Sequence, residues 1–365
     1  MRIAIDARFF GSGTGIGRYV EQLILNLEKV DLENEYFILI NKENQDQYQP
    51  TNLNFKKVII DIPWYGLIEQ FKLPRILKKL NVDLVHFLHF NVPFFYNKAF
   101  VVSIHDSILT KYPSQRATTL SPLKYFFKNI FYRLVIKHAI QKSKTVITMA
   151  EYTKKEIVKE FNCPLEKIEV IYEGVTKLEQ GSEIVDLKEY NITKKYVLYV
   201  GNAYPHKNLE FLIKSWQNFK KDYQLVLVGK KDYFYQRLEK LIKELGLEEK
   251  IILTGYLLDS KLASFYQQAQ SYVFPSLCEG FGLPPLEAMQ FSLPVLVSNT
   301  SCLPEILGDS ALYFYPKDQD DFLEKLNTII SNEELREKLI INSQKLLLKY
   351  NWKTMVEETL RVYSI

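Results

Sequence analysis

Ile3 to Ala7 is a short apolar run that ends in the glycine cluster GSGTGIG and passes straight into RYVEQLILNLEKV, whose apolar residues recur at helical spacing. Strand, glycine loop and helix in that order open a parallel α/β unit. EYFILIN, KKVIIDI, LVHFLHF, FVVSIHD, TVITMA and KIEVIYEG read as further strands, separated by helical or loop segments. Residues 174–193 are polar and aperiodic, and read as a linker. The alternation then restarts: KYVLYVGNA (strand), PHKNLEFLIKSWQNF (helix), YQLVLVGK (strand), YQRLEKLIKELG (helix), KIILTGY (strand), LASFYQQA (helix) and SYVFPS (strand). A helix over 285–291, the strand LPVLVSN and helices through 320–349 complete it, and WKTMVEETLRVYSI reads as one amphipathic terminal helix. The pattern predicts two successive doubly wound α/β domains.

A length of 365 residues and 47% apolar content supply a core for each domain. Cys163, Cys278 and Cys302 are scattered and odd in number, which fits a reducing compartment without a disulfide framework. The start lacks the apolar core of a secretory signal, and no window reaches about 18 uninterrupted apolar residues. A cytoplasmic protein is expected. The net charge of +4 says little about nucleic acid.

SLCEGFGLPPLEAM, Ser276 to Met289, carries Glu279 and Glu287 on either side of a glycine- and proline-rich loop. Pro284 and Pro285 suit the first turn of a helix, which would put Glu287 in that turn, against the positive end of the dipole. A capped helix explains Glu287, but not Glu279, Gly280 and Gly282. Glycines let backbone approach a ligand, helix-start N–H groups bind phosphate, and a carboxylate accepts from a sugar diol.

Glu279 to Glu287, an acid, seven residues and an acid inside EGFGLPPLE, resembles the signature of retaining glycosyltransferases of family four. IDARFF…GTGIGRY, SIHD and YVGNAYPHKN resemble that family's first glycine loop, its histidine loop and its lysine loop, in the family's order. The resemblance covers nearly the whole chain. It implies the GT-B fold, two facing Rossmann-like domains with a cleft between them. Residues 1–173 with the terminal helix 350–365 would bind the acceptor, and 174–349 the nucleotide-sugar donor.

The resemblance also implies roles. Glu287 would hold the ribose hydroxyls, and Glu279 the hydroxyls of the transferred sugar. The backbone of Gly280, Phe281, Gly282 and Leu283 would face sugar and phosphate. Lys207 would stabilise the leaving diphosphate, and His105 would touch the donor sugar. Gly15 and Gly17 would line the cleft. Many relatives carry arginine early in the lysine loop or just before the lysine; here Asn202 and His206 stand there, the first neutral and the second charged in part near neutral pH. No metal or cofactor is expected beyond the nucleotide sugar, with GDP-mannose as first choice and rhamnosyl or glucosyl transfer as alternatives.

Several motifs keep a plainer alternative. Gly13, Gly15 and Gly17 lack the dinucleotide-fingerprint spacing, so an oxidoreductase reading loses its support, while a tight turn remains open for any one glycine. His105–Asp106 lies at a strand's carboxyl end, where parallel sheets place ligands, and also fits a loop cap. His86 and His89 read as structural, without the acids or cysteines of a metal site, and Cys278 as packing. From Ser107 to Ala150 no acidic residue occurs, while Lys124, Lys128, Arg133 and Lys137 fall among aromatics at helical spacing. Such a stretch can lie on an anionic membrane or contact an acceptor, or form a domain helix with a solvated basic face; nucleic acid is not expected. The prediction is a retaining mannosyl-type transferase acting on a glycan or lipid-linked glycan in bacterial surface polysaccharide synthesis, peripheral on the inner face of the cytoplasmic membrane. The rival from another class is a non-catalytic nucleotide-sugar binder.

Overall fold

The computed structural model describes residues 1–106, 108, 122–178 and 184–364, with the side chains of 122–129 left out. Lys124 and Lys128 therefore lie outside what can be described of side chains. Two parallel sheets carry the chain. The first joins β1 (Arg2–Asp6), β2 (Glu35–Asn41), β3 (Phe55–Ile60), β4 (Leu84–Phe87), β5 (Phe100–Ser103), β6 (Thr145–Thr148) and β7 (Ile168–Val170), in the order β3-β2-β1-β4-β5-β6-β7. The second joins β8 (Tyr196–Val200), β9 (Gln224–Val228), β10 (Ile251–Gly255), β11 (Ser271–Phe274), β12 (Val295–Ser298) and β13 (Leu312–Phe314), in the order β10-β9-β8-β11-β12-β13. Strands covered on both faces become continuous apolar runs, and β4, β5, β11 and β12 are buried at every position.

The chain divides into two units. Among the described residues, one comprises 1–106, 108, 122–174 and 351–364, and the other 175–178 and 184–350. Each sheet has one switch point, β1 beside β4 and β8 beside β11, where the strand order reverses and a crevice opens at the carboxyl ends.

In the first unit the helices are α1 (Gly15–Val30), α2 (Leu67–Leu80), α3 (Pro122–Lys142), α4 (Glu151–Phe161) and α12 (Trp352–Tyr363). Thr14 caps α1, its hydroxyl accepting from Gly17 N at 3.1 Å, and Tyr19, Val20, Leu23, Ile24 and Leu27 form the buried stripe. A Cβ on Gly17 would stand 2.4 Å from Ser12 Oγ, so the turn needs glycine there, whereas Gly15 faces open space. The C-terminal α12 packs on α1, and its Tyr363 hydroxyl reaches His86 Nδ1 at 2.6 Å.

In the second unit they are α5 (Leu209–Trp216), α6 (Tyr233–Glu244), α7 (Asp259–Gln268), α8 (Leu283–Met289), α9 (Leu303–Leu307), α10 (Gln319–Ser331) and α11 (Glu333–Leu347). Three differences from the sequence expectation matter. PHKNLEFLIKSWQNF is not one helix: Pro205–Lys207 is a 3-10 turn, Asn208 adopts φ 61, and only then does α5 begin. Helix α8 starts at Leu283, so Glu287 is its fifth residue and lies outside the first turn. The short β13 was not anticipated, because its three residues carry too little pattern to read.

Candidate active site

At the switch point of the second sheet, the loop after β8 is fastened to the loop after β11. Asn208 turns the chain in the left-handed region, which asparagine tolerates better than most residues. Its side-chain amide donates to Pro275 O at 3.2 Å and Pro316 O at 2.8 Å. Leu277 N donates to His206 O at 2.7 Å, a second tie between the same two loops.

Between those ties Lys207 Nζ donates to both oxygens of Glu279, at 2.6 and 2.9 Å. Both side chains are nearly buried, and Nζ also lies 5.3 Å above the Phe274 ring. The loop that carries Glu279 is pinned from α9's side. Ser301 Oγ accepts from Glu279 N at 3.0 Å, and Cys302 Sγ donates to Glu279 O at 3.4 Å and Phe281 O at 3.5 Å. Burial pushes the Cys302 thiol well above its ordinary pKa, so it stays a donor.

Phe281 is buried with its ring edge-on to Tyr350, and Leu283 is buried too, so this loop offers backbone rather than side chains. Gly282 has φ 99, and a Cβ there would come 2.9 Å from Leu303 Cδ2. The positive φ is what calls for glycine there, since the Leu303 methyl is the end of a side chain that can shift. Glu287 is buried one helical turn further on. Asn202 is exposed, its Oδ1 3.4 Å from Tyr204 N.

The expectation for His206 is corrected. Burial, and secondarily the Lys207 charge, push the ring down to about 3, so it is neutral rather than partly charged near neutral pH. The permanent cation of the loop is Lys207.

In the first unit His105 follows β5. Its Nε2 lies 2.9 Å from Leu88 O, and since a carbonyl only accepts, Nε2 carries the proton. Nδ1 faces Glu173 Oε1 at 3.8 Å, and Tyr19 packs edge-on to the ring at 4.8 Å. Asp106 Oδ1 accepts from Ile108 N at 2.8 Å, a loop cap. His86 is wholly buried between Tyr363 and Ser103, and burial pushes it down to about 3. Within α3, Arg133 and Lys137 are exposed alongside Ile130, Phe131 and Leu134.

Thus the second unit brings Lys207 and Glu279 into contact and places the Gly280–Leu283 backbone and Glu287 on the same loop and helix. His105, Gly15 and Gly17 belong to the first unit, each with its own local partners. Sequence reading missed Asn208, Ser301 and Cys302. An asparagine between a prolyl turn and a helix is a legible signal for a left-handed break; Ser301 and Cys302 act through distant pairing and leave none. Among the described residues no helix is long and apolar enough to cross a membrane, and no three His, Cys, Asp or Glu side chains group as metal ligands.

Comparison with known proteins follows the same division. Residues 13–177 match the model described as "Glycosyltransferase Family 4", and 182–346 the model described as "Glycosyl transferases group 1". The chain is 28% identical to the O-antigen chain mannosyltransferase RfbU of Salmonella typhimurium, over 88% of this chain and 89% of that one. It is 26% identical to O-antigen chain mannosyltransferase B of Escherichia coli, over 96% of each. Among solved structures, the sucrose-phosphate synthase of Thermosynechococcus elongatus superposes with a TM-score of 0.78 at 20% identity, over 100% of this chain and 98% of that one. The two parallel-sheet units are the Rossmann-like domains of a GT-B fold.

Proposed function

The chain belongs to the group 1, family-four glycosyltransferases, and from that premise we propose that it transfers mannose from GDP-mannose, with retention, to a lipid-linked glycan in bacterial surface polysaccharide synthesis. The observation that carries this reading is the Lys207–Glu279 pair, held by both carboxylate oxygens at the carboxyl end of the second sheet's switch point. Two relatives matched along most of their length are named O-antigen mannosyltransferases, which supports mannose and this class of acceptor.

The pair suggests how the donor is received. A buried lysine and a buried carboxylate neutralise each other before the donor arrives, since either alone would be costly there. On binding, the diphosphate takes Lys207, and the hydroxyls of the sugar take Glu279. Asn208 fixes the turn that carries Lys207, so once the ammonium has passed from Glu279 to the diphosphate it stays close to the charge that grows on the departing phosphate. The acceptor hydroxyl attacks from the face the nucleotide leaves, and the departing phosphate takes its proton, so no protein nucleophile enters. Glu287 holds the ribose diol, and His105 orients the sugar through Nδ1. No metal or cofactor is used in this reading; the cationic charge comes from Lys207. The exposed basic and apolar residues of α3 favour peripheral attachment to an anionic membrane over a solvated domain face.

The test is incubation of the purified chain with radiolabelled GDP-mannose and bacterial polyprenyl-linked oligosaccharides. An α-mannosyl product supports the reading. Incorporation from another nucleotide sugar alone overturns the donor, and a β-product overturns retention.

A further inference from the structure

Helix α2 and the loop after β4 present a surface that the roles above do not use. Leu67, Ile68 and Phe71 stand exposed in the first two turns of α2, Leu67 at 80%. Lys72, Arg75, Lys78 and Lys79 follow, exposed as well, towards its C-terminus. At about 3.6 residues per turn, all of these fall on one side of the helix. No exposed residue of α2 is acidic. The helix's one acid, Glu69, turns inward. Arg8, which also holds Asp6 of β1, lies 2.6 Å from its Oε1, and Asn91 donates to its Oε2 at 2.6 Å. The carboxylate that could have offset the surface cations is thereby neutralised inside the unit.

The loop after β4 extends the apolar end of this face. Phe95 is 57% exposed, and its ring stacks on Phe71 at 4.9 Å. Its neighbour Phe94 meets Phe131 of α3 at 6.1 Å, which joins the patch to the exposed Phe131 and Leu134. Lys98, three residues on from Phe95, is exposed too. Single exposed apolar side chains are ordinary, but a contiguous group of them marks a surface that something covers.

We propose that α2 is an insertion anchor, and that Leu67, Ile68, Phe71 and Phe95 enter the acyl boundary of an anionic bilayer; this deepens the peripheral-membrane reading above and rests on it. Attachment through the cations of α3 is electrostatic, whereas this anchor is apolar and lies on a different helix. An amphipathic helix with apolar side chains beside lysine and arginine lies in the plane of such an interface. Lys72, Arg75, Lys78 and Lys79 would reach the lipid phosphates while their stems cover apolar surface. The charge also selects the occupant. A second copy of this chain, related by a two-fold axis, would set these cations against their own equivalents. An anionic lipid surface answers the apolar and the cationic parts together.

The experiment is flotation of the full chain on phosphatidylglycerol vesicles at about 0.1 M and about 1 M salt, between which the screening length falls from roughly 10 to 3 Å. Charge attraction is largely screened away at the higher salt, and inserted apolar side chains are not. The unmodified protein is expected to float at both. Leu67→Ser combined with Phe71→Ser should lower vesicle affinity at high salt about ten-fold, with Tm nearly unshifted because both side chains are exposed. Release of the unmodified protein by salt, or undiminished high-salt flotation of the folded double variant, would overturn the anchor. So would a dimer in sedimentation without vesicles that the same two changes abolish. Equal binding to phosphatidylcholine vesicles would overturn the need for anionic lipid, and no flotation at either salt would remove the membrane reading as a whole. Hydrolysis of nucleotide sugars without vesicles is measured separately: its absence in the unmodified protein with every donor sinks the glycosyltransferase reading, whatever floats.

Discussion

Lys207 and Glu279 neutralise each other in a nearly buried contact at 2.6 Å, and in the proposed reading the donor's diphosphate and sugar hydroxyls would take their places. Lys207→Ala should lower kcat by about 100-fold, the size of one lost fixed donor to a developing anion. Tm recorded on the same sample separates this from unfolding, and a rate loss that follows the folded fraction would make the lysine structural. A second residue-scale expectation concerns acid. His206 and His86 sit at about 3 when folded, against an ordinary value of 6.5. Between those values the unfolded chain binds protons that the folded chain does not, so stability is full above pH 6.5 and is lost as pH falls towards 3. His206→Asn should flatten the fall by up to about 1.4 kcal/mol per pH unit. Urea unfolding from pH 7 to 4 measures it, and an unchanged slope would mean the ring is not held neutral.

At the scale of elements, the site depends on short connections more than on helices. The 3-10 turn at Pro205–Lys207 and the left-handed Asn208 aim Lys207 at the loop after β11. Asn208→Ala should destabilise by about 3–4 kcal/mol, from roughly 1–2 for the left-handed backbone and about 1 for each of the two lost hydrogen bonds. Asn208→Gly keeps the backbone freedom and should cost about 1–2 kcal/mol less. Equal losses in the two variants, read by thermal unfolding, would show that the turn itself does not matter. Helix α3 makes a separate claim. Its exposed Arg133 and Lys137 flank Phe131 and Leu134. Changing both cations to glutamate should release the enzyme from phosphatidylglycerol vesicles in a flotation assay, each lost cation contributing about 1 kcal/mol. Undiminished flotation would return the helix to ordinary domain surface.

Across the molecule, every strand of both sheets except the three-residue β13 was readable, because buried parallel strands are continuous apolar runs bounded by turns, as in VVS of β5 and LVLV of β9. EGFGLPPLE and PHKN were singled out because chemistry-bearing residue types sit close in sequence there, and the structure brings Glu279 of the one and Lys207 of the other into contact. Glu287's place was misread because two prolines suggest a helix start, whereas Leu283 already opens the helix. His206 was misread because sequence carries no burial. The Arg8–Glu69 cluster was invisible because its members lie on β1, α2 and the loop after β4 and meet only through folding. The donor site is the claim on which the rest depends. Thermal shift of the whole chain against GDP-mannose, GDP, UDP-glucose and UDP measures it most directly, because a ligand that binds the folded form alone raises its apparent stability. The account predicts that GDP-mannose raises Tm most in the unmodified protein and that the rise disappears in Glu287→Ala; an equal rise in that variant, or no rise with any nucleotide sugar, would contradict it.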